Sequence, residues 1–247
     1  MTALPPALAG ALRTLAGRRP LLVASDYDGV LARLRDDPSD AVPEPGVAEV
    51  LGRLAAVDGV TVALVSGRGV ADLRTTSGLS GPYRWVGSHG AEFDGPLTGE
   101  LAGRRDELAA RLAPLVAGTE GARLEVKPAS VAVHVRQVAD RVAAAALLTD
   151  TRSRADSSLT LKPGKDVLEL AVTDADKGSA VRRLAGELGA VATLYLGDDL
   201  TDEDAFRALG AGDVTVKIGD GETAARHRVL DTHGALAVLG NLADLLA

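Results

Sequence analysis

Residues 21–31 read LLVASDYDGVL. The uninterrupted apolar run Leu21–Ala24 has the pattern of a strand covered on both faces in a parallel sheet, and it stops at Ser25-Asp26-Tyr27-Asp28-Gly29, where polarity and a glycine enforce a turn. In an open α/β sheet, ligands bind beyond the carboxyl ends of the strands. Asp26 and Asp28, two residues apart, therefore stand where chemistry is expected and project to one side of an extended chain. Two neighbouring carboxylates repel, which favours keeping one protonated or supplying a cation, so the pair suits a nucleophile with a general acid/base beside a metal. An Asx-type turn with solvated acids fits the same letters.

Further along, Gly46–Val57 repeats apolar residues at helical spacing and leads into a second buried run, Val60–Val65, which makes a βαβ unit with parallel strands. That run ends at Ser66-Gly67-Arg68. A hydroxyl and turn N–H groups ahead of a helix over Val70–Thr76 could hold phosphate oxygens, and Ser66 could equally be a helix N-cap. A short strand over Arg84–Val86 ends in Gly87-Ser88-His89-Gly90. His89 there either faces the crevice or bonds backbone in a tight turn.

The rhythm changes after Gly95. A helix over Leu101–Val116, strands over Arg123–Lys127 and Val131–Arg136, a helix over Val138–Leu148 and strands over Leu159–Lys162 and Val167–Val172 predict an inserted α+β domain, a lid over the crevice. Beyond it, Lys177 stands ahead of a helix over Ala180–Leu188, where the macrodipole disfavours a cation unless an anion compensates it. The strand Ala192–Leu196 ends in Gly197-Asp198-Asp199. A capping pair of Thr201 and Asp204 accounts for part of the acidity that follows, but not for Asp198 and Asp199. Val214–Ile218 is expected to be the final core strand, and Ala235–Leu246 a terminal helix.

Composition narrows the chemistry. The 247 residues are 46% hydrophobic and carry a net charge of −7, which predicts no nucleic-acid or anionic-membrane footprint and leaves any anionic substrate to local cations. With no cysteine, a metal would need oxygen ligands, hence Mg²⁺, and a reducing cytoplasm is the expected location. No membrane span is expected. One Trp, three Tyr and two Phe are too few to hold a sugar by stacking, so polar contacts would have to do so.

Four strand ends or helix starts thus converge: DYDG, SGR, DKGSAVRRL and GDDLTDEDAF. Together they resemble the signature motifs of the haloacid dehalogenase superfamily of phosphohydrolases. VGSHGAE, EVK with the later HVR, GKDVLEL and LGDDLTDEDAF are similar to the trehalose-6-phosphate phosphatase family over nearly the whole chain. Val30 and Asp176 depart from commoner threonine and asparagine without removing a reacting group. The resemblance implies a Rossmann-like α/β parallel-sheet core over residues 1–98 and 173–247, with a cap over 99–172. It implies an Mg²⁺-dependent phosphatase acting on a small sugar phosphate; a monomer is expected. Asp26 would be the nucleophile that forms an aspartyl-phosphate, and Asp28 the acid/base. Mg²⁺ would sit on Asp26, the Asp28 carbonyl and Asp198, with Lys177 and Ser66 on the phosphoryl group and Asp199 and Asp202 further out. Ser66, Gly67 and Arg68 belong to the substrate-binding set. Phosphatases of other sugar or pseudo-disaccharide phosphates, or a phosphomutase, share these core motifs. A catalytically silent sugar-phosphate sensor is disfavoured by the intact reacting groups.

In the predicted cap hairpin, alternation puts Glu125, Lys127, Ala132, His134 and Arg136 on one face and Leu124, Val126, Val131, Val133 and Val135 on the other. Glu169, between Leu168 and Leu170, could join the polar strip. Such a strip is either a solvated face with surface ion pairs or a sugar-reading surface. The family resemblance assigns Glu125, Lys127 and Glu169 to the sugar hydroxyls.

Overall fold

The computed structural model describes residues 4–247, which divide into two compact units, one comprising the chain up to Gly95 together with Ala175–Ala247, the other Pro96–Asp174. In chain order the first segment carries α1 (Pro6–Ala16), β1 (Leu21–Ser25), α2 (Val47–Ala55), β2 (Val60–Val65), α3 (Val70–Ser77), β3 (Arg84–Gly87) and β4 (Glu92–Phe93). The smaller unit follows with α4 (Gly99–Ala117), β5 (Arg123–Lys127), β6 (Ser130–His134), α5 (Arg141–Ser153), β7 (Thr160–Gly164) and β8 (Val167–Ala171). The last segment returns to the larger unit as α6 (Lys177–Leu188), β9 (Ala192–Gly197), α7 (Asp202–Ala208), β10 (Val214–Ile218), β11 (His227–Val229) and α8 (Thr232–Leu246).

The larger unit is a three-layer α/β structure. Its sheet runs β11-β10-β9-β1-β2-β3-β4, parallel throughout except for the β3–β4 pair. Every residue of β1 is buried, because the strand lies between β9 and β2 and is covered on both faces. Leu21 and Val23 point to the layer formed with α1, α2 and α8, whereas Leu22 and Ala24 point to α6 and α7. Burying each such Leu or Val contributes about 1.5–3 kcal/mol. The strand ends where its ladder runs out: the Asp26 N–H donates to the Leu196 carbonyl at 2.9 Å, and the Tyr27 hydroxyl reaches the Ala41 carbonyl at 2.5 Å. This locks the DYDG turn between β9 and the loop after it.

Three expectations are corrected in this unit. Val214–Ile218 is not the last strand, since β11 pairs parallel to β10. Helix α6 begins at Lys177 rather than Ala180, because Asp176 forms a capping box with Ser179 one turn earlier than the apolar periodicity starts. Thr201 occupies the cap position of α7 with no side-chain cap bond; its hydroxyl donates to Asp199 instead.

The smaller unit is a four-stranded antiparallel sheet, order β5-β6-β8-β7, with α4 and α5 on one face. The turn Pro128-Ala129 joins β5 to β6, and register pairs Glu125 with Ala132 and Lys127 with Ser130. Leu108, Leu112 and Leu147 pack on Val131, Val133, Leu168 and Leu170, so the apolar face is covered by the unit's own helices. Val126, expected on that covered face, is 51% exposed because β5 is the edge strand. Helix α5 starts at Arg141 rather than Val138, because Asp140 accepts from the Val142 and Ala143 N–H groups and caps it there.

Helix α6 packs against α7 so closely that a Cβ on Gly178 would lie 2.4 Å from the Asp204 carbonyl oxygen, whereas one on Gly186, in the same helix, would meet nothing within 4 Å. Urea denaturation of Gly178→Ala should show a loss of about 1–3 kcal/mol from overpacking. Gly186→Ala should gain up to about 1 kcal/mol from helix propensity alone.

Candidate active site

Five segments of the larger unit meet at the carboxyl ends of its strands around a cavity of about 520 Å³, lined among others by Asp26, Asp28, Ser66, Lys177 and Asp198. At its floor Lys177, 1% exposed, places Nζ 2.6 Å from Asp26 Oδ2 and 2.9 Å from Asp202 Oδ1. The anion expected to compensate a lysine at this helix start is thus the protein's own pair of carboxylates. Burial would lower the Lys177 pKa, but Asp26 and Asp202 outweigh it and hold the ammonium charged. Burial pushes the Asp26 carboxyl up against the opposing pull of Lys177.

Asp202 is the junction of the site, a larger role than the outlying one its place in the motif implied. Its Oδ1 accepts from Lys177 and from the Tyr195 hydroxyl at 2.7 Å, while Oδ2 accepts from the Asp198 and Asp199 N–H groups at 2.9 and 3.0 Å. Burial, with Asp202 next, raises the Tyr195 phenol well above its ordinary range, so it remains a donor. Four hydrogen bonds saturate this carboxylate and shape the 198–199 loop around it.

Asp26, Asp198 and Asp202 bring carboxylate oxygens within 4.8 Å of one another, a grouping able to hold a metal ion. Because Asp202 is saturated, Asp26 and Asp198 are the carboxylates with lone pairs to offer. Burial, reinforced by Asp202 and Asp199, pushes the Asp198 carboxyl up to about 7. That excess of buried negative charge, with oxygen donors only, suits a hard divalent cation. Asp198 also lies hard against the DYDG turn: Gly29 has φ +76°, and a Cβ there would stand 1.9 Å from Asp198 Oδ2. Asp199 is occupied otherwise. It accepts from the Thr201 N–H and hydroxyl at 2.8 and 2.7 Å; burial would raise its pKa, but Lys177 and Thr201 hold it low.

Asp28 meets Arg68 in a two-pronged ion pair, Nε to Oδ2 at 2.7 Å and Nη2 to Oδ1 at 2.8 Å. Arg68 also donates to the Pro38 carbonyl at 2.6 Å and to Asp72 at 3.1 Å, and its hydrogen bond to Asp28 is the largest influence holding it charged. Its guanidinium is therefore committed to orienting Asp28. Ser66 is not the cap of α3, whose cap position is Gly69; its Oγ accepts from the Arg68 N–H at 3.1 Å and closes a turn. His89 lines the cavity from a left-handed turn (φ 56°) with its ring against Gly67. Glu92, buried beneath, braces that turn by accepting from the Ser88 hydroxyl at 2.8 Å and the Val70 N–H at 3.2 Å.

Of the residues singled out by sequence, Asp26, Asp28, Ser66, Gly67, Arg68, Lys177 and Asp198 line this one cavity. Glu125, Lys127 and Glu169 lie in the smaller unit's sheet. There Lys127 Nζ is 2.6 Å from Glu169 Oε2, the Ser130 hydroxyl donates to Glu169 Oε1 at 2.7 Å, and His134 Nε2 is 2.7 Å from Glu125 Oε2. Burial would raise the Glu169 carboxyl, but Lys127 and Ser130 hold it below the usual range. Two contributors escaped the sequence reading. Tyr195 reads only as a core aromatic, whereas Lys217, which donates to the Asp198 carbonyl, leaves a signal, the one charged residue in the buried strand VTVKI.

The arrangement sets a buried carboxylate beside a fixed ammonium, with a second carboxylate, a hydroxyl and an acidic cation site around it. Residues 24–228 match the family model described as trehalose-phosphatase. A trehalose-phosphate phosphatase of Mycolicibacterium paratuberculosis is 39% identical over 84% of this chain and 56% of its own length. One from Mycobacterium marinum is 34% identical over 90% of this chain and 61% of its own. The chain thus spans a little over half the length of these relatives. The solved structure of Aspergillus fumigatus trehalose-6-phosphate phosphatase superposes with a TM-score of 0.76 at 26% identity, over 96% of this chain and 97% of that one.

Because Asp202 accepts four hydrogen bonds, an amide in its place must turn an NH₂ toward two donors. Equilibrium denaturation of Asp202→Asn should show a loss of about 3 kcal/mol. Asp204→Asn, two residues on and half exposed, should stay within about 0.5 kcal/mol of wild type.

Proposed function

The chain belongs to the trehalose-phosphatase family, and from that membership we propose that it hydrolyses trehalose 6-phosphate to trehalose and phosphate through an aspartyl-phosphate. The single observation that carries the reading is the buried Asp26–Lys177–Asp202 triad, of which Asp26 and Lys177 line the cavity together with Asp28.

In this reading an Asp26 carboxylate oxygen attacks phosphorus and forms the acyl-phosphate bond as the bond from phosphorus to the sugar oxygen breaks. Asp28 gives its proton to that departing oxygen, then takes one from a water whose oxygen attacks phosphorus and frees Asp26. Arg68 keeps the Asp28 carboxyl aimed, and one of its two hydrogen bonds gives way when Asp28 carries the proton. Lys177 opposes the protonation that burial favours at Asp26 and, with the Ser66 hydroxyl, faces the phosphoryl oxygens. The Asp26 and Asp198 carboxylates and the Asp28 carbonyl would hold Mg²⁺, which when bound supplies positive charge against the repulsion between an anionic nucleophile and a dianionic ester. Asp202 contributes by fixing Asp198 and Lys177.

The sugar is assigned to the polar face of the smaller unit's sheet. Lys127, Glu169, Glu125 and His134 share that face, which the unit's own helices leave free, and each offers hydrogen bonds to hydroxyls. Binding energy from such remote contacts is available to position the ester.

Phosphate release from trehalose 6-phosphate in Mg²⁺, against a panel of other sugar phosphates, is the deciding experiment. Asp26→Asn should abolish release while circular dichroism stays native; retention of more than a trace would rule out the covalent route. Lys127→Ala and Glu169→Ala should each cut kcat/KM for trehalose 6-phosphate by ~10-fold or more, the scale of lost hydrogen bonds to charged groups. Hydrolysis of a small aryl phosphate by the same variants should change little, and equal damage to both substrates would remove the sugar-reading role.

A further inference from the structure

We infer that Lys217, outside the reacting set, is a positioning residue: it fixes the peptide that carries Asp198 and thereby sets how tightly the site holds a divalent cation. The inference rests on the reading above in which Asp198 is a ligand.

Strand β10 lies parallel to β9 in a register that places Lys217 opposite Gly197, the residue before Asp198. Lys217 is 5% exposed in a strand otherwise made of Val, Thr and Ile. Among the described residues, no carboxylate oxygen lies within 4.0 Å of its amino group. Its amino group instead donates to the main-chain carbonyl of Asp198. The Asp198 carboxylate lies near enough for the lysine's charge to act on it, but not at ion-pair distance, so burying the ammonium here is costly. Stability alone would be better served here by an apolar side chain like its strand neighbours. What the lysine adds is a hold on one peptide.

The two peptides that flank the Asp198 Cα, and its carboxylate, are held from three directions. Asp202 Oδ2 accepts the Asp198 N–H at 2.9 Å, Lys217 donates to the Asp198 carbonyl, and the backbone at Gly29 abuts the Asp198 carboxylate. With the N–H and carbonyl both held, the Asp198 Cα–Cβ bond has a set direction and its carboxylate stays beside that of Asp26. Without Lys217 a partly buried carbonyl loses this donor, and the 198–199 peptide is held by the Asp199 N–H on Asp202 alone. Groups that orient metal ligands in this way typically alter affinity by 10–100-fold when removed.

The test is calorimetric titration of chelator-stripped full chain with Mg²⁺, for wild type, Lys217→Met and Lys217→Arg. Lys217→Met should remain folded by circular dichroism and bind Mg²⁺ about tenfold more weakly or worse, while Lys217→Arg, which keeps donors and charge, should recover most of the affinity. Rescue by arginine separates positioning from packing, which methionine preserves better. If Lys217→Met does not fold, Lys217→Gln is titrated against the same criterion. Wild-type binding with unchanged affinity in the methionine or glutamine variant would overturn this role alone. Wild-type protein that takes up no Mg²⁺ would overturn the cation assignment and this role with it.

Discussion

A single ammonium, Lys177 Nζ, held between the carboxylates of Asp26 and Asp202, joins the parts of the larger unit that matter for chemistry. It connects the end of β1 to the starts of α6 and α7. Each member is costly to bury alone, and the three are tolerable together because each charge meets its opposite at hydrogen-bonding distance. Asp202 extends the arrangement by accepting the two N–H groups of the 198–199 loop and the Tyr195 hydroxyl. The geometry of one buried carboxylate thus determines where Asp198 stands, and with it where a cation would find oxygen ligands.

The rest of the site is built against that junction. Strand β1 is central, with β9 on one side and β2 on the other, so the turns following these three strands are neighbours at one end of the sheet. Gly29 lets the first turn approach the last with no side chain between them. Arg68, from the turn after β2, spans to the first turn and grips both oxygens of Asp28. The nucleophile and the acid/base of the proposed reaction are therefore oriented by different cations, Lys177 for Asp26 and Arg68 for Asp28. That separation keeps two carboxylates two residues apart in distinct electrostatic surroundings, as roles in attack and proton transfer require.

The smaller unit illustrates a different economy. Its hairpin alternation was legible because period-2 patterning assigns faces unambiguously once one face must pack, and α4 and α5 cover the apolar one. What alternation does not convey is which strand lies at the edge. Val126 obeys the pattern and still stands half in solvent, because β5 has a neighbour on one side only. Helix starts were missed for a related reason. Asp140 and Asp176 begin α5 and α6 by satisfying free N–H groups, and such caps lie outside the apolar periodicity that marks a helix interior.

By itself the sequence determined the buried strands, the alternation of strand and helix that makes a parallel sheet, and the motifs DYDG, SGR, DKG and GDD at strand ends and a helix start, residues of which line one cavity. These are local properties, set by apolar runs and turn residues within a few positions of each other. The partners were decided by tertiary structure. That Lys177 is answered by Asp26 and Asp202, that Arg68 belongs to Asp28, and that Lys217 reaches the Asp198 carbonyl all depend on which strands lie side by side. Residues 151 positions apart, as Lys177 and Asp26 are, meet because the sheet brings them together. A charge in sequence shows its type, but its effect follows from what it touches once water is excluded.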